Sequence, residues 1–414
     1  MTQENRVQIQ KLRDKGVQFP APEAVEIGED VDPDRISGKG VIIHAGCKIY
    51  GRSTLILDDT RLGYEGPATV ADCQIGPRVA LGGGYFKNAV FLAGASAGSG
   101  AQVREGTILE EEASIAHTVG LKQTILFPFV TLGSLINFCD CLMAGGTGRK
   151  NHSEVGSSYI HFNFTPNQDK ATASLIGDVP RGVMLNQNPI FLGGQGGLVG
   201  PCSLEYGTVI AAGTIHRIDE RRAGRLILGG SGKSGNVAYD PGRYHGEKRI
   251  LTNNVVYIAN LMALNQWYKT VRSQFVSTDY NQSLLDGAMK QINLGIDERI
   301  WRLEEFVFKL PAQNEETEHN TVKRQNRQSE ISEWWPELKA YLKSSRNEGG
   351  DVSIQDRFLE NLQKVIDQEG KSYLRVINNL ERQTAAIATS WLQGIVNQVK
   401  HGAFRIIPFL NTLS

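Results

Sequence analysis

Residues able to do acid–base or phosphate chemistry crowd into one stretch: Cys139 and Cys141, then Ala144-Gly145-Gly146-Thr147-Gly148-Arg149-Lys150, then His152, with His161 further on. Histidine is the side chain whose ordinary pKa lies nearest neutrality, so His152 and, behind it, His161 are the candidates for a general base. Gly145, Gly146 and Gly148 free the backbone before His152, and Arg149 and Lys150 resist burial. This stretch is therefore expected as an exposed loop, with Arg149 and Lys150 available to an anionic group. Each histidine could equally be a structural residue bonded to a neighbouring segment. Cys139 and Cys141 with His152 nearby have metal-binding residue types, but a C-x-C spacing lacks the second cysteine pair of a zinc site. The two thiols are read as core residues, and no metal is assigned.

Two glycine-rich strings resemble nucleotide-binding loops without their context. Residues 144–150 have the composition of a pyrophosphate loop, yet they follow no first strand of a dinucleotide-type α/β unit. Gly229-Gly230-Ser231-Gly232-Lys233-Ser234 suggests a phosphate loop, but Ile227 stands where the first glycine is required. Both are expected to be loops.

The elements that must position these groups show in the spacing of apolar residues. Small or branched residues return about every six positions, often followed by glycine: Ile27-Gly28 and Val31; Ile36, Ile42 and Ile49; Ile75-Gly76 and Leu81-Gly82; Val103, Ile108 and Ile115; Leu132-Gly133; Leu192-Gly193, Leu198, Leu204, Val209 and Ile215. That period fits neither an amphipathic helix nor an alternating strand. It fits a triangular coil in which each six-residue unit supplies one short strand and one corner, so that about eighteen residues make a turn. A β-sandwich would share the glycine and valine content but not the spacing. The register breaks at 82–100, 143–152 and 162–175, which are expected to leave the coil as loops.

From Asn253 onward the period becomes helical. Leu285, Ala288, Ile292, Ile296, Ile300, Leu303, Val307 and Leu310 form one stripe, and Phe358, Leu362, Val365, Tyr373, Val376 and Leu380 another. Of 45 glycines, 38 precede residue 251, whereas all five tryptophans follow it, which marks the same change of architecture. The expected fold is mainly β: a left-handed parallel β-helix, a hexapeptide-repeat solenoid, followed by an α-helical C-terminal region. Its parts are an N-terminal helix or arm over 1–20, the β-helix with inserted loops over 21–250, and helices over 251–414 with a polar linker near 313–328. The helices could cap the last coil, lie along its side, or join subunits.

The 44 basic and 44 acidic residues leave no global field for nucleic acid or an anionic membrane. There is no apolar run of membrane-spanning length and no secretory signal at the start, and five cysteines make no disulfide framework. The chain is expected in the cytoplasm.

The segment from 151 to 214 resembles the acetyltransferase half of the bifunctional glucosamine-1-phosphate acetyltransferase / N-acetylglucosamine-1-phosphate uridyltransferase family. The likeness rests on Phe191-Leu192-Gly193-Gly194, Leu198-Val199-Gly200-Pro201 and Ile210-Ala211-Ala212-Gly213-Thr214, and upstream on Ile160-His161-Phe162-Asn163-Phe164, Lys170, Thr172 and Ile176-Gly177-Asp178. The resemblance implies an acyl-coenzyme A dependent N-acyltransferase acting on an amino sugar phosphate or nucleotide sugar, with acetyl-coenzyme A held between neighbouring β-helices of a homotrimer. Under it, His152 is the general base. Asn163, Phe164 and Lys170 would hold substrate, with Arg149 and Lys150 as further phosphate contacts, and Gly194 and Ala212 would face the coenzyme.

The chain departs from that family in ways that matter physically. Phe164 replaces a tyrosine and lacks its hydroxyl, and Gly194 replaces a serine. The basic pair that holds the sugar phosphate aligns with Leu142 and with 126–128, which carry no charge. A second reading therefore stands beside the first: a non-catalytic sugar-nucleotide binder or scaffold that keeps the solenoid. A nucleotidyltransferase-related protein, the third, has only the glycine-rich string behind it.

Overall fold

A computed structural model describes residues 2–162, 170–229, 246–309, 333–407 and 410. Two-to-four-residue strands wind into a parallel β-solenoid of about eleven turns, the β-helix expected from the six-residue period, followed by several helices. Each turn visits three faces in order. The first runs from Glu26–Ile27 to Gly120–Leu121 and, through a bridge at Asn137, on to Ile160–Phe162, Gly197–Val199 and Ile215–His216. The second has eight strands from Leu55–Ile56 to Ser203–Leu204, and the third has ten from Ile42–Ile43 to Leu226–Ile227.

Most of the repeating apolar residues point inward as expected; Ile27, Ile36, Ile49, Ile75, Leu81, Val103, Leu132, Leu192, Leu198 and Leu204 are buried. Three do not. Ile42, Val209 and Ile215 face outward, and their neighbours Ile43, Ile210 and His216 fill the interior. Side chains alternate between faces along a strand, so a one-residue misreading inverts the assignment. The glycine after an inward residue also serves differently than expected. A Cβ on Gly193 would stand 2.3 Å from Ala212 N, so its function is close stacking of coils. The left-handed corner position comes later and is often held by another residue, as at Asp59, Arg78 and Glu112, with φ of 57°, 59° and 57°.

Residues 82–100 are not a loop. Strands Gly84–Lys87, Ala89–Phe91 and Ser96–Ala97 continue all three faces. The period was hidden because the inward positions carry Phe86 and Phe91, whose rings meet edge to face at 5.7 Å, and because Asn88 makes the corner. Residues 143–152 do leave the coil, as a short antiparallel hairpin rather than an open loop.

Helix α1, Gln3–Lys15, closes the first coil with Ile9 and Leu12. Asn5 makes both missing ladder bonds, Nδ2 to Val25 O at 2.8 Å and Ile27 N to Oδ1 at 2.7 Å. A one-turn helix α2, Val179–Gly182, sits on a corner. Then follow α3 (Glu247–Thr270), α4 (Gln282–Lys309), α5 (333–344), α6 (Val352–Glu369), α7 (Tyr373–Asn378) and α8 (Arg382–Ile406). The helices lie along the side of the solenoid: α4 lies on the second face and α3 on its later coils, with α8 packed on α3. That face is consequently buried on both sides, as in Leu55-Ile56, Ile108-Leu109, Ile125-Leu126 and Leu142-Met143, whereas third-face strands such as Glu154-Val155 and Phe191-Leu192 alternate.

The stripe from Leu285 to Val307 is buried along α4, while Leu310 and 313–328 lie outside the described residues. The second stripe divides: α6 ends at Gly370, with φ of 74°, and Tyr373 and Val376 belong to α7. Among the described residues no helix is long and apolar enough to cross a membrane.

Candidate functional site

The order of strands distributes the candidate residues over three corners. Arg149, Lys150 and His152 lie between Cys141–Met143 and Glu154–Val155, at the corner from second to third face. Gly194 and Ala212 lie between third-face and first-face strands, one coil apart. Lys170 lies between first and second faces and is exposed, beside Ala171, whose carbonyl accepts from Asn254 Nδ2 of α3. Asn163 and Phe164 lie outside the described residues.

Local bonding explains the hairpin that carries His152. Gly146 pairs with His152 across it, and the left-handed φ of 104° at Gly146 leaves no room for a side chain, since a Cβ would meet Asn151 O at 2.6 Å. Below, Arg149 donates to Glu112 O at 2.6 Å and to Thr131 Oγ1; above, Gly146 N donates to Gln187 O. Ser153 Oγ ties the base of the hairpin to Ala144 O and Ile190 N. His152 is half-buried and its Nδ1 is enclosed without a hydrogen-bond partner among the described residues, while Arg149 and Lys150 are exposed. This is a strand-turn-strand unit and not the strand-loop-helix that binds pyrophosphate.

His161 sits inside the solenoid. Its Nε2 lies 2.8 Å from Ser174 Oγ, its ring meets Phe138 edge to face, and burial lowers its pKa to about 4. A histidine there stays neutral and meets no substrate. The cysteines likewise stay apart from His152. Cys141 faces the core, and Cys139, at the corner from first to second face, donates to Asn137 Oδ1 at 3.2 Å. Burial raises both thiols, Cys139 to about 11. Leu142, Leu126 and Phe127, aligned with the family's basic pair, are core residues.

Gly194 and Ala212 stack with Ser157 at one exposed corner; Gly213 N donates to Gly194 O at 2.9 Å, and a Cβ on Gly194 would stand 2.8 Å from Ser157 O. A side chain at 194 would therefore require the neighbouring coil to shift. Gly193 N is committed to Ile210 O at 2.8 Å, whereas Gly194 N makes no backbone hydrogen bond among the described residues. Outward rows of apolar side chains flank this corner: Phe191, Val209 and Leu226 on the third face, Ile160 and Ile215 on the first.

The polar seam between helices and solenoid went unread in the sequence. Arg272 pairs with Glu111 at 2.5 Å, Tyr268 donates to Glu110, and Arg299 pairs with Asp140 at 2.8 Å, all at solenoid corners. Burial pushes the Glu110 carboxyl up to about 7 against the opposing charge of Arg272. The run Glu110-Glu111-Glu112 amid apolar repeats was the available signal.

No family model matches the chain. It is similar to the bifunctional protein GlmU of Thermotoga petrophila, 26% identical over 211 residues, half of this chain and 41% of that protein. The same protein of Oleidesulfovibrio alaskensis is 24% identical over 201 residues, 48% of this chain and 38% of its own. The chain thus spans about two fifths of the length of these relatives, and the likeness together with the β-solenoid fits a hexapeptide-repeat acetyltransferase.

Proposed function

We propose that the chain is an acyl-coenzyme A dependent N-acyltransferase acting on an amino sugar phosphate or nucleotide sugar, working in the cytoplasm as a homotrimer. The observation that carries this reading is the hairpin at 146–152, which holds a half-buried His152 beside the exposed cations Arg149 and Lys150. His152 takes the proton from the attacking amine as its nitrogen adds to the thioester carbonyl. Arg149 and Lys150 hold the substrate phosphate, with Asn163, Phe164 and Lys170 as further substrate contacts. Acetyl-coenzyme A lies along the small-residue corner at Gly194 and Ala212, where Gly194 N–H, which has no backbone acceptor among the described residues, stabilises the oxyanion.

Within one chain His152 and Gly194 belong to different corners, so a site using both is built from two copies. The apolar rows on either side of the Gly194 corner support this: first face against third face is a heterologous contact that closes into a ring. The charge-free core positions Leu142 and Leu126 favour the second reading, a sugar-nucleotide binder that has lost its catalytic phosphate grip.

Calorimetry with acetyl-coenzyme A and with UDP-N-acetylglucosamine separates the two, followed by an acyl-transfer assay on amino sugar phosphates. Coenzyme binding, and turnover that His152→Ala abolishes, is the expected result. Binding of the sugar nucleotide alone establishes the binder.

A further inference from the structure

A cavity of about 340 Å³ lies in the seam where the late coils of the second face and α2 meet α3 and α8. None of the residues assigned above to acyl transfer lines it. Its volume falls in the range of small-molecule sites.

The bonding state of its polar groups restricts what can fill it. Arg181 is already committed: its guanidinium bonds Asp178 at 2.7 Å and Glu205 at 2.8 Å and lies over the Tyr206 ring. Those two carboxylates are therefore held by a single cation and retain spare lone pairs that accept from hydroxyl groups. Two donors opposite are unused. Thr252 of α3 is only 5% exposed, and its Oγ1 is buried without a partner among the described residues. Lys400 of α8 is half-buried and has no ion-pair or hydrogen-bond partner among the described residues. A buried, unsatisfied hydroxyl costs about 1–3 kcal/mol. Val256 and Val396 supply the apolar wall between these groups.

We infer that this cavity binds a small polyhydroxylated anion, its acidic group bonded by Lys400 and Thr252 and its hydroxyls by Asp178 and Glu205. The acid is a carboxylate or a phosphate monoester; both present an oxygen acceptor to an ammonium and a hydroxyl. Because the walls come from the solenoid on one side and two helices on the other, the ligand fastens α3 and α8 to the coil. Occupancy stabilises that docked arrangement by mass action. The site is independent of the acyl-transfer reading and stands or falls without it.

Calorimetry and hydrogen exchange on the full chain test this with gluconate, glucose 6-phosphate and inorganic phosphate as probes. Gluconate or glucose 6-phosphate is expected to bind and to slow exchange in α3 and α8, and whichever binds identifies the acid. Lys400→Met and Thr252→Val are each expected to weaken binding by about tenfold or more. Thr252→Val, which removes a buried unpaired hydroxyl, is also expected to leave the unliganded protein at least as stable as before, so its loss of binding is not a loss of folding. Absence of binding at millimolar probe, binding that survives either substitution, or inorganic phosphate binding as tightly as both hydroxylated probes overturns the inference.

Discussion

The Arg272 guanidinium meets the Glu111 carboxylate at 2.5 Å in the seam between helices and solenoid, and both are buried. The rings of Tyr373, Tyr280 and Tyr268 surround the cation at 3.7, 4.7 and 5.3 Å. Among the described residues Arg272 Nε and Nη1 have no hydrogen-bond partner, so the aromatic faces substitute for part of the lost solvation. Arg272→Met leaves a buried carboxylate uncompensated and is expected to cost about 3–5 kcal/mol in urea unfolding followed by tryptophan fluorescence. Adding Glu111→Gln to it is expected to restore most of that loss; a double variant as unstable as the single would show that packing, not charge, dominates.

Beside this pair, Glu110 gives the seam a pH dependence. Its carboxyl titrates near 4.5 when unfolded and near 7 when folded, because burial disfavours the anion. Between those values the folded chain keeps a proton that the unfolded chain has lost. The stabilising contribution is therefore complete below pH 4.5 and disappears as pH rises through 7. Glu110→Gln keeps a neutral acceptor for Tyr268 and removes the titration. Its stability relative to the parent is expected to rise from pH 5 to 7 and then level off, by up to about 3 kcal/mol. A difference that does not change with pH would place the Glu110 titration at its ordinary value.

How far the sequence revealed the molecule follows from what repeats. The coil was legible because stacking repeats the same demand every six residues; it was lost where an aromatic pair and a non-glycine corner met that demand, at Phe86, Asn88 and Phe91, and read one residue out of phase at Ile42, Val209 and Ile215. The covered face went unread, although doubly apolar dyads such as Ile125-Leu126 beside the alternating third-face strands carry its signal. The seam was not legible either. Glu111 and Arg272, or Asp140 and Arg299, are far apart in the chain, and a local signal such as the acidic run at 110–112 marks the carboxylates without naming the cations that pair with them. The segment of glycines and cations was legible as an excursion from the coil but not as the antiparallel hairpin it forms, and the division of His152 and Gly194 between two corners depends on the winding of the coil.

At the Gly194 corner, Ala212 is exposed and its side chain supports no core packing. Ala212→Trp is expected to change thermal stability little, within roughly 0.5 kcal/mol, while reducing acetyl-coenzyme A affinity by about tenfold or more. Unaltered affinity would move the coenzyme away from this corner.

The outward row Phe191, Val209 and Leu226 tests assembly. These three side chains are in register on successive coils and exposed, with Val209 in the middle. If first and third faces of neighbouring copies meet here, Val209→Glu buries a charge in an apolar contact, whereas in a free chain it merely replaces one exposed residue by another. The parent is expected to scatter light as a trimer at micromolar concentration and Val209→Glu as a monomer with an unchanged circular dichroism spectrum. Ser96→Glu, on the same face nearer the N-terminus and outside the apolar row, is the control expected to remain a trimer. A monomeric parent would remove the two-copy site, since His152 and Gly194 could then act together only across the width of one face.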